Sequence, residues 1–338
     1  MLNRRSALTA GLYSLAATAL PTTPAQNPAR TGSSRSAGPA DIDRIRQMGK
    51  AFNLIDDQYG GGHARTVVAA YLTHEVAPLL RGTTGKARPA LFTAAAEVTY
   101  LLGWMSADDA KHGMAQRYYI QAVRLAEEAG DHLMRATVLR SLSVQAIEVG
   151  HNRAGLELAE AAADGIGHGA TTRKKAWITG MRAEALAARH NRHDALALLG
   201  KAETELEQAD SVPEHEWTGN YRRESFEHQA GLTLAKLGDY NSAEEHYAAS
   251  VATRRPHERR ARALIGAELA HVQLRRRHPE HAARTLLDLK DDLGAVSSQR
   301  LRRTLANVRN GWRPFRPDPT IDEADRLLTH LINARTPA

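Results

Sequence analysis

The sequence contains no cysteine among its 338 residues, which excludes disulfides, thiol catalysis and thiolate metal sites. Aromatic residues make up only 5% of the chain, whereas proteins that bind single-stranded nucleic acid usually combine cations with several aromatic rings. The hydrolase motifs Gly-x-Ser-x-Gly and His-Glu-x-x-His are also missing. We therefore predict no enzymatic activity, no catalytic residues and no cofactor.

What the sequence does contain is a repeating pattern of small residues. Alanine or glycine recurs in helix-forming segments at intervals of 40, 40, 48 and 39 residues, at the anchor positions Ala115, Gly155, Ala195, Ala243 and Ala282. A constant period of 20–50 residues is typical of a solenoid whose units stack on their neighbours. The sequence therefore predicts an all-α fold, a right-handed helical solenoid of tetratricopeptide-like repeats.

The clearest repeat unit spans residues 227–255. Gly231 lies on its first helix, residues 238–240 form the turn, and Ala243 and Tyr247 lie on the second helix. Small residues let two antiparallel helices approach closely, while an aromatic side chain fills the gap between units. The period exceeds the 34 residues of a standard tetratricopeptide repeat, so we expect longer helices or turns. Such a fold is primarily a binding scaffold.

The first twenty residues are a signal-like or junction segment. Met1–Arg5 is basic, Ser6–Leu20 is uncharged and largely apolar, and Ala17–Ala19 offers a small-x-small cleavage pattern. These features fit a twin-arginine export signal. A short amphipathic helix at a domain junction fits them too. An apolar run of about 15 residues is too short for a stable membrane span.

The remaining sequence divides into a linker and one domain. Residues 21–40 are rich in Pro, Thr, Ser, Gly and Ala and predict a disordered linker. Residues 41–335 form the predicted repeat domain, which we expect to be a single elongated unit. Gly60-Gly61-Gly62 interrupts the helical pattern. No lysine, serine or threonine follows at P-loop spacing, so the triplet predicts a flexible turn and not a phosphate site.

The net charge of +7 raises the question of a polyanionic partner. Arginines cluster four times in the C-terminal part, at residues 254–255, 259–262, 275–277 and 300–303. They could line one surface that attracts phosphate or an acidic partner. The alternative, which the modest net charge favours, is that they are solvated on helix faces.

Histidine pairs and adjacent aspartates do not form a recognisable site. His190/His193 and His278/His281 are each spaced by three, but a zinc site needs three or four converging ligands, and no carboxylate or thiolate set accompanies either pair. No metal site is therefore expected. The aspartate pairs at 56–57, 108–109 and 291–292 diverge on a helix, so helix capping and solvation account for them.

Several phrases resemble one known group of proteins. These are residues 60–65 (GGGHAR), 103–105 (GWM), 115–119 (AQRYY), 217–226 (WTGNYRRESF), 271–274 (HVQL) and 311–312 (GW). They are similar to the tetratricopeptide sensor half of bacterial helix-turn-helix transcription regulators of the xenobiotic-response-element type. The resemblance extends over about residues 1–330.

The resemblance implies a cytoplasmic sensor or adaptor that binds a peptide, a small molecule or a protein. Members often carry an N-terminal DNA-binding domain followed by a segment similar to residues 3–21. No such domain precedes that segment here, so direct DNA binding is not expected. Similar short proteins are labelled as twin-arginine exported proteins, and an exported binding protein is the alternative. A homodimer is left open.

In this repeat type, inward-facing positions of the first helix lie about 11, 15 and 18 residues before the anchor. These offsets select the predicted concave-groove residues Arg140, Val144, Trp177, Glu184, His228 and His271. A groove of mixed charge and aromatic character suits a peptide or a polar small molecule. Arg140 is the strongest candidate, because a buried arginine needs an anionic partner. Two alternatives stay open: Arg140 pairs with Glu184, and Trp177 belongs to the core.

Overall fold

The computed structural model describes residues 36–167, 169–210 and 220–333. Within these residues every regular element is a helix and none is a strand, so the predicted all-α helical solenoid is confirmed. The signal-like segment 1–20, most of the linker 21–40 and Trp217 lie outside the described residues. None of the described helices is long and apolar enough to cross a bilayer.

The described chain begins with helices that precede the first repeat. They are α1 (Pro39–Tyr59), α2 (Gly61–Tyr71) and α3 (Ala77–Gly82), with a π-helical turn, Leu72–Val76, between α2 and α3. Pro39 occupies the first turn of α1, where its missing N–H costs nothing. A 3₁₀ turn, Gly85–Ala87, leads into the first repeat.

Ten helices then form five antiparallel pairs, one for each predicted repeat unit. The pairs are α4 (Arg88–Asp108) with α5 (His112–Ala129), α6 (His132–Glu148) with α7 (Asn152–Gly165), α8 (Thr172–Ala188) with α9 (Arg192–Glu207), α10 (Arg223–Lys236) with α11 (Tyr240–Thr253), and α12 (Arg259–Arg275) with α13 (Pro279–Asp288). All five anchor residues lie on the second helix of a pair and are buried. The period predicted from the sequence therefore corresponds to one helix pair.

Small residues allow the close approach within two of these pairs. A Cβ atom added to Gly231 would lie 2.7 Å from the ring of Tyr247, and one added to Gly103 would lie 2.7 Å from the ring of Tyr119. Both tyrosines follow their anchor by four residues and are fully buried. In the first and fourth repeat units the aromatic ring thus packs against the small residue of its own helix pair, whereas the sequence led us to expect it in the gap between units.

The turns between helices follow a common plan. A residue in the left-handed region ends one helix, and a polar side chain then caps the next. Gly238 has a φ of +80°, and the Asp239 side chain accepts a hydrogen bond from the Ser242 N–H at 3.3 Å. His190, with a φ of +59°, and Asn191 occupy the same two positions before α9. Both turns join the two helices of one repeat unit, so these residues mark the middle of a unit and not its boundary.

A sixth helix pair follows the predicted repeats. It consists of α15 (Gln299–Gly311) and α16 (Pro319–Asn333), preceded by the short α14 (Lys290–Ala295). Ala324 of α16 is fully buried and lies 42 residues after Ala282, so it continues the anchor series. Trp312 is completely buried, and its indole N–H donates to Asp325 at 3.1 Å. This pair was not predicted from the sequence.

The two ends of the solenoid are in contact. Ser297 donates its backbone N–H to Tyr59 at 2.7 Å and accepts one from Gly62 at 3.1 Å. The Ser298 hydroxyl donates to Asp108 at 3.0 Å. The prediction of an elongated unit whose repeats contact only their neighbours is therefore wrong. The glycine triplet 60–62 is not a flexible turn, because it packs tightly against α4 and the segment before α15.

The anchor positions make a direct prediction about stability. Ala243 is fully buried between helices, so Ala243→Leu should overpack the fourth unit and lower the free energy of unfolding by about 1–3 kcal/mol. Ala248 on the same helix is exposed, and Ala248→Leu should change it by less than about 0.5 kcal/mol. Urea denaturation measures both variants. Equal stability of the two would contradict the assignment of Ala243 as an anchor.

Candidate ligand-binding cavity

The first helices of all five repeat units face a common cavity of about 400 Å³. Contact between the chain ends converts the predicted open groove into this cavity, because α1 and α15 add side chains at its rim. Charged and aromatic side chains make up much of its lining, with a few apolar ones between them. From the helices, the lining includes Asp57 of α1, Tyr100 and Trp104 of α4, Arg140, Val144 and Glu148 of α6, Trp177 and Glu184 of α8, Ser225, His228, Leu232 and Lys236 of α10, Arg260, Leu264 and Glu268 of α12, and Arg300 of α15. The segments that flank these helices add Arg222, Arg254 and Glu258.

Five of the six predicted site residues line this cavity. They are Arg140, Val144, Trp177, Glu184 and His228, whereas His271 does not line it. Of the other residues at the predicted offsets, Ser225, Leu232 and Leu264 line the cavity, and Thr137, Gly180 and Ala267 are buried elsewhere. The offsets therefore identify the side of the first helices that faces the cavity, but not every residue on it.

Packing explains two of the positions that do not reach the cavity. Thr137 is 1% exposed and accepts a hydrogen bond from the Lys174 ammonium at 3.0 Å. At Gly180, an added Cβ would lie 2.6 Å from the Gln229 amide oxygen and 2.9 Å from the Tyr221 hydroxyl. These side chains cover Gly180, so it serves helix packing and not the cavity surface.

Among the residues that the structure describes, each carboxylate that lines the cavity has a basic side chain as its partner. Glu184 lies 3.2 Å from Lys236, Glu268 lies 3.1 Å from His228, Glu148 lies 2.8 Å from Arg300, Asp57 lies 3.4 Å from Arg260, and Glu258 lies 3.1 Å from both Arg222 and Arg254. Burial opposes ionisation of Glu268, but hydrogen bonding and the charge of His228 lower its pKa below the usual range. The acidic side chains of the lining are therefore neutralised within the protein.

Arg140 is the exception among the cations of the lining. Its guanidinium stacks on the Trp177 ring at 4.2 Å from the ring centre, and its Nε–H donates to the Trp177 carbonyl oxygen at 3.5 Å. Within the described part of the chain it forms no ion pair, since Glu184 is held by Lys236 and by Gln229. Burial lowers the pKa of Arg140 because the charged group loses water. The cavity thus presents a cation without an anionic partner.

Trp177 lies both in the cavity lining and against the hydrophobic core. The ring lines the cavity and carries Arg140 on one face, yet the residue is only half-buried and packs against the hydrophobic core. The Lys174 ammonium lies 5.0 Å from the centre of the same ring. Stacking on an aromatic face limits the conformations of the guanidinium, so the Arg140 fork is held in place before any ligand arrives.

Several residues of the cavity were not predicted from the sequence. Tyr100 and Trp104 line it and lie 15 and 11 residues before Ala115, so the offsets used for the other repeats would have found them. Trp104 contacts two cations, with the guanidinium carbons of Arg260 and Arg300 at 5.5 and 5.4 Å from its ring centre. Arg300 reaches the cavity only because the chain ends meet, and no local pattern predicts that contact.

Capping and solvation do not explain two of the adjacent aspartates. Asp56 and Asp108 are both fully buried. Asp56 lies 3.2 Å from Arg260, and Asp108 accepts a hydrogen bond from the Gly61 N–H at 3.0 Å. The pKa of Asp56 is raised to about 7, because the effect of burial exceeds the opposing effect of the Arg260 charge. These two carboxylates hold the junction between the chain ends.

The arginine clusters do not form one continuous surface. Arg254, Arg260 and Arg300 point into the cavity, whereas Arg262 lies on the outside and pairs with Asp292 at 2.7 Å. Arg277 is exposed. The clusters are therefore divided between a buried ion-pair network and solvated helix faces, which gives no support to a single polyanion-binding surface.

Comparison with known proteins supports the fold. No family model and no curated protein sequence matches this chain. Seventeen chains of solved structures match it. One of them is a Rap protein complexed with competence and sporulation factor, with a TM-score of 0.51 and 13% identity, covering 86% of this chain and 96% of that chain. At this identity the similarity shows a shared helical-repeat fold. The resemblance to the sensor half of helix-turn-helix regulators stays a prediction.

Proposed function

We propose that this protein is a non-enzymatic sensor scaffold that binds a ligand carboxylate in the central cavity, with Arg140 as the anchor. The observation that carries the proposal is the stacked guanidinium of Arg140, which has no ion-pair partner among the described residues, whereas the other described charges of the lining are paired. Arginine presents its donors in a planar fork that matches a carboxylate. A ligand anion would supply the partner that the described residues do not.

The size and surface of the cavity favour a short peptide segment or a polar small molecule. Its volume of about 400 Å³ falls at the small end of the range for ligand pockets, roughly 300–1,000 Å³. Val144, Leu232 and Leu264 supply apolar surface beside Arg140 and Trp177. The Rap protein of the same fold was solved in complex with competence and sporulation factor, which supports a binding role for this scaffold.

We also propose that the protein works in transcriptional regulation inside the cell, through a protein partner. This step rests on the resemblance to regulator sensor halves and not on the cavity. The alternative of an exported binding protein depends on Arg4 and Arg5. Cell fractionation and sequencing of the mature N-terminus separate the two. A secreted product that begins at Leu20, and that is lost when both arginines become lysine, would establish export.

The role of Arg140 is tested with a library of short peptides, each with a free or an amidated C-terminus. We expect a subset with free C-termini to raise the melting temperature, and Arg140→Ala to weaken their binding about tenfold or more, the effect of losing a charged hydrogen bond. Isothermal titration measures the dissociation constants. Arg88→Ala is the matched control, because Arg88 also stacks at 4.2 Å from an aromatic ring centre, that of Phe92, but does not line the cavity.

Two results would contradict this assignment. In the first, amidated and free peptides bind equally well to the wild-type protein, which would show that the protein does not recognise the C-terminal carboxylate. In the second, Arg140→Ala lowers the melting temperature sharply while the folded fraction binds with unchanged affinity. Arg140 would then only stabilise the stack of helices, and the anchor would have to lie elsewhere in the cavity.

A further inference from the structure

A second cluster of polar side chains lies away from the cavity, where α11 approaches the turn between α12 and α13. The cluster consists of Glu244, His278 and His281, and one potential ligand atom from each residue lies within 4.8 Å of the others. His278 precedes α13, His281 lies in its first turn, and Glu244 lies near the start of α11. The expectation from the sequence that no carboxylate accompanies His278 and His281 is therefore wrong. Glu244 is 34 residues away in sequence, so the pair alone could not reveal it.

These three side chains are a suitable ligand set for a divalent transition metal. Two imidazoles with one carboxylate, and an open position for water, is a known zinc arrangement. Zinc–ligand distances are about 2.0–2.2 Å, so donor atoms around one ion lie at most about 4 Å apart. His281 is exposed, so its side chain has room to rotate toward the other two donor atoms.

The surroundings of the cluster orient one of its members and leave a polar atom of another without a partner. The two Glu244 oxygens accept hydrogen bonds from the Gln273 amide at 3.3 Å and from the Arg276 guanidinium. A carboxylate has about four lone-pair positions, so these bonds orient Glu244 and leave sites for a metal, as outer-shell contacts do in metal proteins. The His278 Nδ1 atom is buried, and among the described residues it has no hydrogen-bond partner. A bound ion would compensate a group that is costly to leave unpaired.

We infer that Glu244, His278 and His281 form a binding site for one divalent transition-metal ion, with zinc as the best match to the ligand types. The ion would link the fourth repeat unit, through α11, to the fifth, through α13. Since it binds the folded state, it should raise the melting temperature in proportion to the logarithm of its concentration. This site is independent of the cavity and of any ligand carboxylate.

The chain contains its own control for this inference. His190 and His193 have the same spacing and also lie at the start of a second helix, α9, one residue earlier relative to the anchor. His193 is 92% exposed at its side chain and contacts Asp194 at 3.0 Å. Within the described part of the chain, no cluster of three ligands includes this pair. Non-specific binding of the metal ion to surface histidines would therefore involve both pairs equally.

The test uses full-length protein without a polyhistidine tag, stripped of metal with a chelator and titrated with Zn²⁺ in a calorimeter. We expect one ion per chain. His281→Ala and Glu244→Gln should each weaken binding at least about tenfold, since even outer-shell changes cost about 10–100-fold. His193→Ala should leave the affinity unchanged. Co²⁺ in place of Zn²⁺ gives absorption bands that report nitrogen and oxygen coordination. Circular dichroism confirms that each variant is folded.

The inference fails if the wild-type protein shows no saturable binding of one ion. It also fails if His281→Ala binds as tightly as the wild type, or if His193→Ala weakens binding as much as His281→Ala does. His281 is the decisive position, because Glu244→Gln also removes the ion pair with Arg276 and could act through the fold. A melting temperature that Zn²⁺ raises in the wild type and in His193→Ala, but not in His281→Ala, supports the site.

Discussion

Replacement of Gly61 by alanine is expected to lower the free energy of unfolding by about 3 kcal/mol or more, at the upper end of the cost of overpacking. The added Cβ would lie 2.4 Å from the carbonyl oxygen and 2.7 Å from the Cα of Met105. Both atoms belong to the backbone of α4, and Met105 is fully buried. Neither α2 nor α4 can therefore shift to relieve the clash without a loss of stability. The Gly61 N–H also donates to the buried Asp108, and a shift of α2 would break this bond.

Gly200→Ala is the matched control for this substitution. Gly200 lies within α9, is exposed, and has no neighbouring atom within 4 Å of an added Cβ. Alanine favours the helix, so this change should stabilise the protein by up to about 1 kcal/mol. Guanidinium denaturation measures both variants. If Gly61→Ala were as stable as Gly200→Ala, the tight contact between α2 and α4 would be refuted.

Arg260→Ala is the second substitution with a large expected effect, a loss of about 3–5 kcal/mol, as for other broken buried ion pairs. Arg260 is 8% exposed and lies 3.2 Å from Asp56 and 3.4 Å from Asp57. Its guanidinium also contacts the ring of Trp104. Removal of the side chain leaves the buried Asp56 without its cation, at the point where the chain ends meet.

The loss caused by Arg260→Ala should depend on pH. The folded-state pKa of Asp56 is about 7 against an ordinary value of 3.8, because burial disfavours the ionised form, and removal of Arg260 raises this pKa further. A group whose pKa is raised on folding contributes stability that is lost as the pH increases through the folded value. The deficit of the variant should therefore be smaller at pH 5.5 than at pH 8.

The neighbouring Arg259 provides the control. It is exposed, and its nearest carboxylate, Asp292, lies 3.9 Å away, so Arg259→Ala should cost less than about 1 kcal/mol at either pH. Thermal unfolding at the two pH values measures both variants. A deficit of Arg260→Ala that grows as the pH falls, or that matches the deficit of Arg259→Ala, would contradict the proposed role of the pair.

The junction and the cavity depend on each other in this fold. Trp104 lines the cavity and contacts both Arg260 and Arg300, while Arg300 pairs with Glu148 at 2.8 Å. Side chains from α4, α6, α12 and α15 thus share one network. A variant that opens the junction should therefore also disturb the rim of the cavity, whereas Arg140 lies on α6 and contacts Trp177 of α8, away from the junction.

The sequence by itself determined the repeat architecture. The anchors from Ala115 to Ala282 are buried on second helices because close packing of two helices at a fixed position demands a small residue in every unit. The same periodicity placed Arg140, Val144, Trp177, Glu184 and His228 on the inner face. A constant offset from the anchor selects the same helix face in each unit, since the helical period is the same in all of them.

Only the tertiary structure decided what no local period encodes. Contact between Gly62 and Ser297, the pairing of Asp56 with Arg260, and the position of Glu244 beside His278 depend on small rotations between successive helix pairs that accumulate along the chain. The same holds for the partner of Glu184, which is Lys236 and not Arg140. Ion pairs form between whichever side chains the superhelix brings within about 4 Å, and that distance is set by the summed geometry of many helices.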